Sequence, residues 1–221
     1  MRRLLLPTFA FLSLAAAAQA ADASARVTLK GPKGEPVADA VVSLIPLDQP
    51  APPAAPAGRA EVAQEDEQYQ PYLTIVRTGT TVEFPNRDRI QHHLYSVSDA
   101  KKFEKPLYAP GAHESVTFDR PGVVTLGCNI HDWMVAYIVV VETPWFGRSG
   151  ADGAAAVSAP AGRYRIEVWH PRLIDAKTRR PAPPLQREVT LGADGWSEEI
   201  ALPLAPDRRI RRAPADKSSR Y

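Results

Sequence analysis

Residues 123–141 read VVTLGCNIHDWMVAYIVVV. Two strand-like runs enclose a loop of a few residues, and that loop holds Cys128, His131 and Met134. Cys128 is the sole cysteine of the 221 residues, and Met134 is the sole methionine apart from Met1. A loop this short, closed by strands at both ends, turns its side chains onto one point. The three residue types are either an accident of packing, with Cys128 a buried small hydrophobe, or a set of metal ligands. Copper suits them: a thiolate and imidazoles in a trigonal set with a weak, long thioether above it is a site that holds both Cu(II) and Cu(I). Zinc accepts the thiolate and imidazoles, but a thioether is a poor ligand for it. A cysteine nucleophile served by His131 is a further alternative, although nothing in the sequence supplies a substrate pocket or an oxyanion hole.

The segment needs a second imidazole from elsewhere, and His92, His93, His113 and His170 are the candidates. His170 precedes a proline and reads as structural, while His113 lies in the turn-like APGAHESV and reads as exposed. His92 and His93 open the strand-like HHLYSV. Neighbouring strand residues point to opposite faces, so only one of the two can face the loop.

Outward from this pair of segments the chain is strand-like throughout. YLTIV, TTVEF, HHLYSV, ESVTF, VVTLG and VAYIVVV follow one another at the short spacing expected of a β-sandwich. No stretch has the period of an amphipathic helix, so the fold class is all-β. Two shorter strand-like pieces, Arg26–Lys30 and Ala40–Ile45, come before the Pro/Ala-rich DQPAPPAAPAG of residues 48–58. Proline has no ladder donor, so that segment reads as a linker. After TPWFG the early style returns, with GADG turns at 150–153 and 192–195 between further strands.

The N-terminus MRRLLLPTFAFLSLAAAAQA has two arginines, an apolar run and Ala18-Gln19-Ala20, the layout of a secretory signal peptide over residues 1–20, cleaved before Ala21. Its apolar run is short of the ~20 residues of a membrane span, so the expected location is the periplasm, without stable membrane insertion. In an oxidising compartment an unpaired cysteine calls for an explanation, and metal ligation is one. The chain carries 27 Lys+Arg against 25 Asp+Glu, and the two arginines of the leader account for the excess. That balance gives no electrostatic footprint for nucleic acid. The basic residues 205–221 read as a solvated, disordered tail.

The residues quoted above carry two resemblances. V-x-F-x-N at 82–86, a short loop, a histidine, and then Cys128-x2-His131-x2-Met134 resemble the cupredoxins, the type 1 blue-copper proteins, over roughly residues 61–141. Within that family the short ligand loop looks most like that of the amicyanins, with plastocyanins as further relatives. With HHLYS and LGCNIHDWM, the whole arrangement is similar to bacterial chains called methylamine utilisation proteins. The resemblance implies one mononuclear copper held by His92, Cys128, His131 and Met134, with Asn86 fixing the ligand loops. It also implies a backbone N–H of residue 93 directed at the Cys128 sulfur. The residue after the first histidine ligand is usually asparagine in that family, and here it is His93, which keeps His93 open as the ligand. The second resemblance joins GEPVADAVVSL (34–44) and GADGAAAVSAPAGRYRIEVWHPRL (150–173) as two halves of a carboxypeptidase regulatory-like β-sandwich.

Together these imply a cupredoxin Greek-key β-sandwich, residues 59–143, inserted into or flanked by a second small sandwich made of 21–47 and 145–204. The implied function is that of an electron carrier and not an enzyme: a monomer passing single electrons between redox proteins, with a c-type cytochrome or an amine dehydrogenase as the partner. Trp133, Leu107 and Pro106 are the expected apolar neighbours of the exposed His131 edge. The alternatives are a periplasmic copper-binding or copper-tolerance protein with the same ligands and no electron relay, and a purely structural module without metal. A copper store would call for a second set of soft ligands, and the chain beyond the leader has no other Cys or Met.

Overall fold

The computed structural model describes residues 22–52 and 58–207. The leader, the middle of the proline-rich segment and residues 208–221 of the basic tail lie outside the described residues. Strands β1 (Asp22–Lys30) and β2 (Val41–Pro46) come first. Then follow β3 (Arg59–Glu61), β4 (Ala63–Glu65), β5 (Gln68–Gln70), β6 (Leu73–Arg77), β7 (Thr80–Pro85), β8 (His92–Ser98), β9 (Lys101–Tyr108), β10 (His113–Phe118), β11 (Gly122–Gly127) and β12 (Val135–Val141). The last five are β13 (Phe146–Arg148), β14 (Ala154–Pro160), β15 (Gly162–Trp169), β16 (Leu185–Leu191) and β17 (Trp196–Ala201). The described residues contain no helix, and thus none long and apolar enough to cross a membrane.

The strands sort into two bodies. β1 lies between β14 and β17, and β2 lies between β13 and β15, with β16 beyond β15. The earliest strands therefore pair with the latest ones, across about a hundred residues of chain. The intervening residues build a five-stranded sheet in the order β6-β12-β11-β8-β9, a three-stranded sheet β10-β7-β3, and the two-stranded β4-β5 hairpin. Each body has its own core. Leu29, Leu44, Tyr164, Ile166 and Ile200 lie at the centre of the outer one, and Phe84, Leu94, Phe118, Leu126 and Ile138 at the centre of the inner one. Burying side chains of this size contributes roughly 1.5–3 kcal/mol each.

Alternation along the strands explains the layering. In β7 (TTVEFP) Val82 and Phe84 point into the inner core while the residues between them are half-buried. β12 (VAYIVVV) departs from that pattern because both of its faces are covered. Ala136, Ile138 and Val140 join the inner core; Val139 and Val141 join the outer one, with Leu73 of β6. Tyr137 sits at this seam, its ring 5.4 Å from both Tyr72 and Trp169. The inner body thus rests one sheet face against the outer body, and β12 leads from that seam back to the ligand loop.

Among the elements not expected from sequence, two border the site. β9 carries Lys101, Lys102, Glu104, Lys105 and Pro106. It forms the edge of the five-stranded sheet, where charge and proline are tolerated. Its ladder with β8 is irregular between His92 and Leu94, where the partners step from Tyr108 to Lys105. The additional residue lies on β9, in the stretch that holds Pro106 and Leu107. The β4–β5 hairpin is the second such element. Its two-residue turn, Asp66–Glu67, has φ of 54° and 55°.

Candidate metal centre

β11 ends at Gly127, β12 begins at Val135, and the seven residues between them contain the loop histidine. The loop is closed by a turn in which the Met134 N–H donates to the His131 carbonyl at 2.9 Å. Cys128 and Met134 are buried, at 3% and 1% exposure, and both belong to the inner core. His131 is half-buried, with Ile130 beside it in sequence 47% exposed. A Cβ at Gly127 would stand 2.8 Å from the Tyr95 ring, so glycine is required where β11 passes that ring.

β8 divides the adjacent histidines as a strand must. His92 shares its face with Leu94, both fully buried, and turns toward the loop. His93 shares the other face with Tyr95, whose ring lies 5.5 Å away, and its Nε2 lies 2.9 Å from the Glu104 carboxylate on β9. The ligating atoms of His92, Cys128 and His131 lie within 4.8 Å of one another. Cys128 Sγ is 3.9 Å from His131 Nδ1, and the His92 and His131 rings are 5.1 Å apart. No carboxylate belongs to this group. His113 is exposed, and His170 is buried in the outer body, where its Nδ1 accepts from the Arg172 N–H at 3.0 Å.

The two nitrogens of His92 have different surroundings. Nε2 is 2.7 Å from Asp88 Oδ2, whereas Nδ1 is buried and makes no hydrogen bond. Buried polar atoms are rarely left so. An imidazole held through Nε2 by a carboxylate, with Nδ1 directed at a thiol and a second imidazole, is arranged as a metal ligand with its tautomer fixed. The donor set of two imidazoles and one thiolate therefore fits copper, and the absence of a carboxylate from the group leaves zinc without one of its usual fourth ligands.

The electrostatics point the same way. Burial disfavours the imidazolium of His92, but Asp88 and the Cys128 sulfur more than offset it, and its pKa is pushed up to about 9 in the metal-free protein. Burial also raises the Cys128 thiol, yet His92 and the backbone N–H groups of Ile130, His93 and His131 hold it below the ordinary thiol value. The sulfur thus sits among donors that favour the thiolate, the form that binds metal.

Several supporting residues escaped the sequence reading. Asp88 is one, since an acidic residue inside NRDR reads as part of a solvated loop. Tyr69 is another: it is 3% exposed, and its hydroxyl donates to the Gly127 carbonyl at 3.0 Å and to that of His93 at 3.2 Å. Asn86 is buried; its Nδ2 donates to the carbonyls of Ile90 and Tyr108, and its Oδ1 accepts from the Asp88 N–H. It pins both ends of the loop that delivers Asp88 and His92. Trp133 is half-buried, its ring 5.0 Å from His131, while Leu107 is 47% exposed and Pro106 is exposed.

No family model matches the chain, and no curated protein matches it. Among solved structures it is similar to a purple cupredoxin from Nitrosopumilus maritimus, at 24% identity over 37% of this chain and 99% of that one, with a TM-score of 0.35. It is also similar to a point variant of amicyanin with Cu(I), at 23% identity over 38% of this chain and 83% of that one, TM-score 0.36. A third is a copper-containing nitrite reductase from Thermus scotoductus SA-01, at 27% identity over 44% of this chain and 25% of that one, TM-score 0.37. This chain thus spans a quarter of the nitrite reductase's length.

Proposed function

We propose that the inner body is a type 1 copper domain and that the protein is an exported carrier of single electrons. His92 Nδ1, Cys128 Sγ and His131 Nδ1 would hold one copper ion, with Met134 as a further, weaker donor. When bound, the ion supplies a one-electron redox couple. The observation that carries this reading is the buried, unpartnered Nδ1 of His92 facing a buried thiol and a second imidazole.

The chain's own residues account for the remaining requirements. Three ligands come from one seven-residue span between β11 and β12 and the fourth is the first residue of β8, paired with Tyr108, so the proposed donors stand at the ends of sheet strands. A core that holds Cys128 and Met134 keeps water from the sulfur side. His131, half-buried, is the ligand nearest to solvent, and exposed Ile130 and Leu107 lie on its loop and on the β9 stretch bordering His92. An apolar border of this kind suits brief docking with a redox protein, which uses a small interface. A c-type cytochrome or an amine dehydrogenase is the partner class we propose, in the periplasm. The outer strands form the second, discontinuous unit, 21–47 with 145–204, into which the copper domain is inserted. Its role in this reading is to present the domain.

Copper loading of the purified chain tests the proposal. An intense blue, green or purple thiolate charge-transfer band is expected on adding Cu(II), with reversible bleaching on reduction. A colourless protein that binds Zn(II) tightly overturns it.

A further inference from the structure

Resting on this metal-site reading, a second feature of the inner body bears on how the site is tuned. The β4–β5 hairpin is small, three residues on either side of a two-residue turn. It nevertheless reaches every segment that carries a ligand. The N–H of Asp66 donates to Asp88 Oδ1 at 2.7 Å and the N–H of Glu67 to Asp88 Oδ2 at 2.9 Å. The Glu67 carbonyl accepts from Trp133 Nε1 at 3.1 Å, in the ligand loop between His131 and Met134. Tyr69 of β5 joins the carbonyls of His93 and Gly127, the residues adjoining His92 and Cys128. Gln64 of β4 accepts from the Arg87 N–H at the start of the Asp88 loop.

We propose that this hairpin is the clamp that sets the metal site, with Asp88 and Tyr69 as its positioning residues. The Asp88 carboxylate is gripped at both oxygens by backbone N–H groups, so its plane is fixed, and with it the imidazole that bonds to it. An acceptor at Nε2 keeps the proton there and the lone pair of Nδ1 toward the metal. Its negative charge makes the imidazole a stronger donor, which favours Cu(II) over Cu(I). Tyr69 ties β8 to β11 at the point where their only registered pair is Gly127 with Tyr95. Without that tie β8 and β11 are joined by this pair and, farther from the site, by the Thr125 N–H donating to Ser98 Oγ at 2.9 Å.

The turn itself shows that the grip depends on a particular backbone shape. Asp66 and Glu67 both adopt the left-handed conformation, which non-glycine residues disfavour and which Asn-Gly fits best in a two-residue hairpin. That conformation aims two successive N–H groups at one carboxylate. The contacts to Asp88 and Trp133 are made by backbone atoms of the turn, so its shape decides them.

The test compares Asp88→Asn, Tyr69→Phe and the double variant Asp66→Asn/Glu67→Gly, in the full chain, for reduction potential, charge-transfer spectrum, Cu(II) and Zn(II) affinity, and melting of the metal-free protein. Asp88→Asn is expected to shift the Cu(II)/Cu(I) affinity ratio about tenfold toward Cu(I), which for one electron is about +59 mV, and to weaken Zn(II) at least tenfold. Tyr69→Phe is expected to move the charge-transfer band and to weaken both metals. The double variant should keep the potential and the band while melting no lower than the parent. Potentials, spectra and affinities within twofold of the parent in both Asp88→Asn and Tyr69→Phe overturn the clamp, as does a fall in melting temperature alone. A double variant that shifts the potential as far as Asp88→Asn overturns its backbone basis. Should the parent give no copper colour, the carrier reading fails, and Zn(II) affinity still decides the clamp on its own.

Discussion

The two bodies treat their buried polar groups differently. In the outer one they serve the backbone: Ser149 Oγ accepts from the Ala40 N–H and donates to the Val37 carbonyl, and His170 Nδ1 accepts from Arg172 N–H. The outer body keeps one buried side-chain nitrogen without a partner, Arg172 Nε, whereas the inner one has such atoms on Gln64, Thr74, Arg77, His92 and His93. Of all these, His92 alone has a thiol and a second imidazole in front of it. A polar group that closes its own turn needs nothing further, whereas a buried imidazole nitrogen beside a thiol calls for a cation, which is a proton in the metal-free protein. The difference between His170 and His92 therefore marks the inner body as the one with a candidate metal centre.

The severest way to break that contrast is to remove the thiolate. Cys128→Ser is expected to abolish the charge-transfer band completely, because a hydroxyl is too hard and too weakly acidic to replace the sulfur. Optical titration with Cu(II) checks it. A residual band of similar energy would place the chromophore elsewhere.

The next test sets three histidines against one another. His92→Ala should remove or strongly alter the band, and His93→Ala should leave its energy nearly unchanged, since His93 lies on the opposite face of β8 with Glu104. His170→Ala should leave the band untouched and lower stability by about 1–3 kcal/mol, the ordinary range for losing a buried, hydrogen-bonded side chain. Spectra and thermal melts of the three variants, taken together, check this. A band lost with His93 and kept without His92 would reverse the ligand assignment.

What could be read from the sequence follows from how local each signal is. The pairing of Cys128 with His131 was legible because the two are neighbours in the chain, on a loop too short to hold them apart. The strands around it were legible from β-branched runs such as VVTLG and TTVEF. That one of His92 and His93 faces the loop followed from strand alternation, but which one depends on register, and register is set by β9, whose KKFEKPLY does not look like a strand. The clamp was not legible at all. Three-residue strands carry too few residues for a period, and Asp66-Glu67 lacks the glycine or asparagine that marks a tight hairpin. Asp88 acts through a contact that only the folded chain creates.

A gentler perturbation sharpens the picture of the metal site itself. Met134→Leu keeps the volume of a residue that is 1% exposed, so the core should tolerate it. If Met134 is the weak axial donor, the band should persist while the affinity ratio shifts toward Cu(I), on the order of tenfold, because Cu(II) loses more than Cu(I) when a thioether is withdrawn. Redox titration followed at the charge-transfer band reads the shift. An unchanged potential would make Met134 a core residue and no ligand.

The smallest effect is expected in the outer body and asks whether it is a support only. Tyr164 is 1% exposed, its ring stands edge-on to Trp145 at 5.6 Å, and its hydroxyl donates to the Pro160 carbonyl at 2.8 Å. Tyr164→Phe keeps the ring and its packing, and removes one hydrogen bond from the turn between β14 and β15. Such a bond contributes about 1 kcal/mol net, which for a chain of this size lowers the melting temperature by roughly 2–4 °C. The Pro160 carbonyl lies at a turn that water can reach in part, which keeps the loss at that modest level. No ligand, and no residue of the hairpin that grips the ligands, touches this turn among the contacts described above. The charge-transfer band and the reduction potential should therefore match the parent within error while the melt shifts. A change in potential from this position would mean that the outer body sets the chemistry of the inner one through the Tyr137–Trp169 seam, and that the division between the two bodies is the wrong way to describe the molecule.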